Sequence, residues 1–490
     1  MTVSPVTATP IRASLVVGSL KVQADDDRER LAVTNPANQE IVGYAPVADS
    51  GLVHEAVSVA AEAFPKWSAT PAPQRSSHLF AIASWVRDNR DRLARALVLE
   101  QGKPLGEARS EVDAAAQAFD YYAAEAVRVY GEVIPTGSTT LRSLVLRQPI
   151  GVVAAITTWN YPLGLMAWKI APALAAGCTV VAKPAEETPL AALDLVAGAK
   201  TAGLPPGVLN SVNGTGATVG ALLASHPKVA KISFTGGTAT GKRLLEIAAK
   251  DVKRVTLELG GHSPMIVSAD APLDKAVADG VKRSFRNAGQ LCNSVNRIFV
   301  DQSVADEFVD KFVAASSKLV VGPGLDDPDL GPLANERGRA RVEEHVEDAR
   351  RRGADVLVGG GRPEDPVLSH GFYYLPTVVL GGDGLSMLCE ETFGPVVPIV
   401  VVQDMDEAIE RANALEYGLV CYLYTRDLRT SLLGAERLEF GTVNVNNVGG
   451  GEVAFPYSGW KQSGLGTELS HQGLEEFLNT KHVRIEAGYI

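Results

Sequence analysis

The 490-residue chain is poor in cysteine: four, at positions 178, 292, 389 and 421, with no C-x-x-C pair among them. That spacing argues against a disulfide framework and against structural zinc. Its eight histidines fall into no H-E-x-x-H or comparable pattern, so no metal is expected. The formal net charge is −11 and no long run of lysine or arginine occurs, which leaves no electrostatic footprint for nucleic acid. No apolar run approaches the roughly 18 residues of a membrane span. The opening MTVSPVTATPIRASLVVGSL has no basic segment leading into a long apolar one. The expectation is a soluble, cytoplasmic protein without nucleic-acid or membrane partners.

What is present is apolar mass, 46% of residues, enough for two or three domains. The first ten or so residues, rich in Pro, Thr and Ser, read as a frayed terminus. From about Ser50 to Tyr130 apolar residues recur at helical spacing. From Ser143 the pattern changes to short β-branched runs, SLVLRQPIGVVAAITTW, CTVVAKP, GVLNSV, AKISFTG and RVTLEL, separated by helical segments. This alternation predicts a parallel, doubly wound α/β sheet, whose ligands bind beyond the carboxyl ends of the strands. A second α/β series follows Pro264, with strands in SVNRIFV, ADVLVGG and PVVPIVVV, so a boundary is placed near Gly260. The glycines of NVGGGE near 450 predict a loop whose backbone approaches something closely.

Two glycine-rich segments compete for a phosphate cradle, GTGATVG at Gly214 and FTGGTATG at Phe234. The second directly follows a strand and opens a helix, which suits an anion. The standard G-x-G-x-x-G is absent, so glycine spacing alone does not establish dinucleotide binding. Cys178, Cys389 and Cys421 stand in apolar runs and read as buried filler. Cys292, in NAGQLCNS, has small and polar neighbours and sits in a loop, where either filler or nucleophile is open. Glu258 closes RVTLEL and Asn160 closes a strand in TTWNYP; each alone has an ordinary structural reading.

Taken together, TTWNYP, KPAEETPLAAL, FTGGTATG, LELGGHSP, NAGQLCNSVNR, EETFGPVVPI and PYSGWKQSGLG resemble, in order, the signature segments of the aldehyde dehydrogenase superfamily. The resemblance runs from about residue 30 to the end. It implies a Rossmann-type cofactor domain (residues 1–126 and 150–258), an α/β catalytic domain (259–465) and a β-strand oligomerisation arm (127–149 and 466–490). It implies Cys292 as the nucleophile that adds to an aldehyde, Asn160 and the Cys292 N–H as oxyanion donors, and Glu258 as general base for a thioester's hydrolysis. NAD is the implied cofactor: Lys183 and Glu186 match contacts to the adenosine ribose, Glu391 and Phe393 to the nicotinamide ribose, and Trp159 and Gly236 also match. Gly237 stands where the family often has serine.

The chain looks nearest the succinate-semialdehyde dehydrogenase branch, and Arg286 matches one of that branch's carboxylate-binding arginines. Trp168 and Glu452 replace two of its other anion contacts. With Tyr161, Leu165, Leu291 and Phe455 as further pocket lining, and Glu452 either repelling an acid tail or pairing with Arg286, the expected substrate is an uncharged aromatic or apolar aldehyde. Succinate semialdehyde and an aminoaldehyde are the alternatives; a CoA-acylating enzyme and a non-catalytic recruit of the fold are more remote. SLVLRQP and TKHVRIEA are candidate arm strands, which implies a homodimer or homotetramer.

Overall fold

Helical spacing between Ser50 and Tyr130 becomes four helices, Ser50–Ser68, Ala72–Asp88, Arg90–Gln101 and Leu105–Ala126. The first is capped by Asp49, whose side chain accepts from the Leu52 N–H at 2.7 Å. The structure, a computed structural model, describes residues 9–24, 29–486 and 488. The expected frayed start lies almost wholly outside these residues, as do residues 487, 489 and 490 of the arm.

These helices pack on a six-stranded sheet in the order Leu209–Ser211, Thr179–Lys183, Val152–Ile156, Val229–Thr235, Arg254–Glu258, Gly464–Leu465. The first five strands are parallel and the last is antiparallel. Alternation along Val152–Ile156 decides which side each residue serves. Val153 and Ala155 pack with Val112, Phe119 and Ile170 on one face, while Val152, Ala154 and Ile156 pack with Val53, Val57 and Leu244 on the other. Strand order reverses between Val152–Ile156 and Val229–Thr235, and such a switch point opens a crevice at the strands' carboxyl ends. Trp159, Asn160, Gly236 and Gly237 follow those two strands directly.

After Glu258 the chain leaves this sheet, and Ser263–Val267 begins a second one. Its order is Asp355–Val358, Thr377–Leu380, Val396–Val402, Val295–Asp301, Ser263–Val267, Val420–Tyr424, Thr442–Val445. Only the Asp355–Val358 pairing is antiparallel. Ser263–Val267 and Val420–Tyr424 are wholly buried, continuous runs with no alternation to mark them, so the sequence pattern does not separate them from buried helix. A third sheet joins Glu132–Ile134, Leu141–Pro149 and Leu478–Glu486, the last two in unbroken antiparallel register from Leu478 opposite Pro149 to Glu486 opposite Leu141. Among the described residues no helix is long and apolar enough to cross a membrane.

Candidate active site

The crevice is a cavity of about 880 Å³ where the ends of the two large sheets meet. Cys292 and Asn160 lie in its wall, and Trp159, Gly236, Glu391 and Phe393 line it as well. So do Tyr161, Leu165, Trp168, Arg286, Leu291 and Glu452. Lys183 and Glu186 lie outside this wall, and Glu258 sits behind it.

Cys292 is presented by a tight turn. Asn287, Ala288 and Gly289 have φ of 48°, 53° and 73°, three successive left-handed residues, a backbone state that costs energy at the first two. Gly289 has no substitute, because a Cβ there would lie 2.1 Å from the Gly394 carbonyl oxygen. A Cβ on Gly261 would lie 2.5 Å from the Cys292 carbonyl oxygen, which explains the second glycine of LELGG. Cys292 is half-buried, whereas Cys178 and Cys421 are buried filler as expected. Cys389 is exposed, contrary to expectation; it follows the short turn Ser386–Leu388 rather than entering a strand. Burial pushes the Cys292 thiol up to about 11, a rise that the Tyr457 hydroxyl opposes and that Glu258 and Glu391 reinforce.

Asn160 is held from several sides. Its carbonyl oxygen accepts from Lys103 Nζ at 2.8 Å and Asn287 Nδ2 at 3.1 Å. Its own Nδ2 donates to the Gln290 carbonyl at 2.9 Å, which leaves the second amide hydrogen free. The Cys292 N–H has no acceptor among the described residues. Two unfilled donors beside a sulfur can receive the negative oxygen of a tetrahedral adduct.

Both oxygens of Glu258 are buried without a hydrogen-bond partner among the described residues. Burial, reinforced by the charge of Glu468 and opposed by Lys169, holds its carboxyl well above the ordinary range. Lys169 and Glu468 form a buried ion pair behind it. Sequence reasoning missed this pair, although it left a signal: Lys169 is the single ionisable residue in the otherwise apolar helix Pro162–Ala176, and such a lysine is retained only if paired.

The other end of the crevice can take a dinucleotide. Gly237 precedes the helix Thr238–Ala249 with no side-chain cap among the described residues; the Thr240 and Gly241 N–H groups close onto the Gly237 carbonyl at 3.0 Å each, and those of Thr238 and Ala239 remain available to a diphosphate. Glu391 accepts from the Gly261 N–H at 3.3 Å and is pushed by burial up to about 7. Trp159 and Phe393 meet edge to face, centroids 5.5 Å apart. Lys183 Nζ lies 3.5 Å from Glu186, and the Gly216 N–H donates to the same carboxylate at 3.3 Å. GTGATVG is thus no rival of FTGGTATG; it flanks the Lys183 and Glu186 pair, while FTGGTATG faces the cavity.

The substrate side needs two corrections. Arg286 does not pair with Glu452; it approaches Glu107 at 4.0 Å, and Glu452 makes no ion pair among the described residues. Phe455 is 62% exposed and outside the cavity wall, because the Phe455 N–H closes a turn onto the Glu452 carbonyl and directs the ring outward. Tyr457 takes its place in the wall. Arg283, also missed, is buried in the wall; its Nε donates to the Asn293 carbonyl and the Tyr422 hydroxyl, while Nη2 has no partner among the described residues. The loop NVGGGE does approach closely: a Cβ on Gly450 would lie 3.3 Å from Arg283 Nη2, and one on Gly451 3.0 Å from the Trp168 ring.

The model of the Aldehyde dehydrogenase family matches residues 22–483. The NADP(+) succinate-semialdehyde dehydrogenase of Escherichia coli is 44% identical over 93% of this chain and 94% of its own length. A glutarate-semialdehyde dehydrogenase of Pseudomonas putida is 43% identical, covering 94% and 95%. The crystal structure of betaine aldehyde dehydrogenase from Staphylococcus aureus in complex with NAD+ superposes with a TM-score of 0.94 at 35% identity, covering 97% of this chain and 95% of that one.

Proposed function

The chain belongs to the aldehyde dehydrogenase family, and from that membership we propose that it oxidises short aldehydes with an anionic tail, of the semialdehyde class, to their acids with NAD. The observation that carries the substrate reading is Arg283. It lines the cavity beside Cys292, is buried, and has no carboxylate partner among the described residues. A buried guanidinium without a counter-ion is costly, and an acid tail supplies one. Arg286 adds a second positive group to the same wall. The succinate- and glutarate-semialdehyde relatives favour this alternative over the uncharged aldehyde. The charge argument against an acid tail rests on Glu452, which is exposed and, among the described residues, makes no ion pair with Arg286 or any other group.

Cys292, as thiolate, adds to the aldehyde carbon, and the resulting oxyanion meets the Asn160 amide and the Cys292 N–H. NAD would accept the hydride that leaves this carbon, and the Thr238 and Ala239 N–H groups, together with Glu391, Phe393, Lys183 and Glu186, would hold it. A thioester then remains on Cys292. Glu258 turns toward the cavity and takes a proton from the water that cleaves it, and the raised carboxyl suits that exchange. Hydrolysis, rather than transfer to CoA, follows from a base at this place.

The test is kcat/KM with NAD for succinate semialdehyde, glutarate semialdehyde, hexanal, benzaldehyde and 4-aminobutanal, with Cys292→Ala as the inactive control. A charge-assisted contact to the tail predicts an advantage of about tenfold or more for the acids. Hexanal or benzaldehyde in first place would reinstate the uncharged reading, and 4-aminobutanal the aminoaldehyde one.

A further inference from the structure

The thiol of Cys292 makes one hydrogen bond among the described residues, to the hydroxyl of Tyr457, with Sγ and Oη 3.4 Å apart. Tyr457 is buried, and its position is fixed from three directions. The Tyr457 N–H donates to the Glu468 carbonyl at 2.9 Å, and the Glu468 N–H donates back to the Tyr457 carbonyl at 2.8 Å. Its ring stands edge-on to Trp168 with centroids 5.9 Å apart. These contacts hold its backbone and one edge of its ring, and they place the hydroxyl within hydrogen-bond distance of the sulfur.

A neutral thiol and a neutral phenol form a weak bond in which either group donates. Once the thiol ionises only the phenol has a hydrogen to give, and the bond becomes charge-assisted. The phenol keeps its proton there, because burial, with Cys292 and Glu258 close by, holds it well above the usual tyrosine range. The remaining groups around Sγ mostly oppose ionisation: burial foremost, then Glu258 and Glu391.

We propose that Tyr457 is a catalytic residue whose hydroxyl donates to the Cys292 thiolate and so sets how readily the nucleophile ionises. The proposal rests on the reading of Cys292 as nucleophile. It carries a second consequence, since a thiolate stabilised by a hydrogen bond is more abundant but less reactive per ion. The two effects have opposite signs and separate along a pH axis.

The test is the rate of alkylation of Cys292 by iodoacetamide against pH, in the wild-type protein and in Tyr457→Phe, followed by peptide mapping. In this reaction the thiol's proton passes to buffer, the sulfur lone pair forms an S–C bond, the C–I bond breaks and iodide leaves. The expected Tyr457→Phe profile is displaced to higher pH by about one unit and is about threefold slower on its acid side, where a tenfold smaller thiolate fraction is partly offset by greater reactivity per ion. On the alkaline plateau it is about threefold faster, so the two curves cross. Exposed Cys389 serves as the internal standard and should react equally in both proteins. Equal profiles for Cys292, a displacement to lower pH, or a variant uniformly slower at every pH would overturn the role of Tyr457 and leave the nucleophile standing. Slow, pH-insensitive labelling of Cys292 in the wild type would overturn the nucleophile itself and the role of Tyr457 with it. Melting temperatures of both proteins are measured alongside, and Phe retains the ring that packs on Trp168.

Discussion

Replacing Lys169 with methionine should destabilise the protein more than almost any other single change and should also displace its pH profile. Lys169 is fully buried and Glu468 is 4% exposed, so water cannot compensate either partner when the other is removed. The cost of breaking such a pair is about 3–5 kcal/mol, a third or more of the stability of many domains. The structure adds to that cost, because the second oxygen of Glu468 already lacks a partner among the described residues and the carboxyl of Glu258 faces the same charge. Lys169→Met with Glu468→Gln removes both charges and should recover most of the loss. Activity gives an independent readout. In the role proposed for it Glu258 acts as a base only when ionised, and Lys169 is the charge that favours its ionised form, so Lys169→Met should move the rising limb of kcat against pH to higher pH. In the double variant the charge of Glu468 is gone too, and the limb should return. Stability has a related sign: the folded state holds a proton on Glu258 that the unfolded chain releases, so burial of this carboxyl lowers stability as pH rises above the ordinary carboxylate range. Urea unfolding followed by tryptophan fluorescence, with kcat profiles on the same three proteins, tests all of this. A Lys169→Met protein within about 1 kcal/mol of wild type, or a double variant no more stable than the single one, would refute the reasoning.

Two further outcomes are expected. NAD should exceed NADP in kcat/KM by about tenfold, because a 2′-phosphate would bring like charge against Glu186, with Lys183 offsetting part of the repulsion; Glu186→Gln should narrow the ratio, and a wild-type preference for NADP would contradict the assignment. The arm sheet exposes Val133, Ile134 and Ile485 along its edge strands, so pairing with a second copy is expected, and light scattering that returned the 51.7 kDa monomer would exclude it.

The sequence by itself marked the groups that the proposed chemistry uses. Helical spacing marked the first four helices, β-branched runs marked every parallel strand of the first sheet, and the residues after two of those runs, Trp159 and Asn160, Gly236 and Gly237, reach the cavity. These signals are local, since a strand's alternation and a glycine's position are legible without knowing what lies opposite. Tertiary structure decided the partners. That Arg286 turns to Glu107 and not to Glu452 depends on a helix some 180 residues earlier in the chain packing beside the nucleophile turn. That Tyr457 rather than Phe455 enters the wall depends on two hydrogen bonds to Glu468 and on the turn that directs Phe455 outward. Lys169, Glu468 and Arg283 were present in the sequence as charges, but a charge has a role only once burial removes its water and leaves it a single neighbour. Long-range packing makes that choice, and it set the cavity wall, whereas local pattern was enough to mark the surroundings of Cys292.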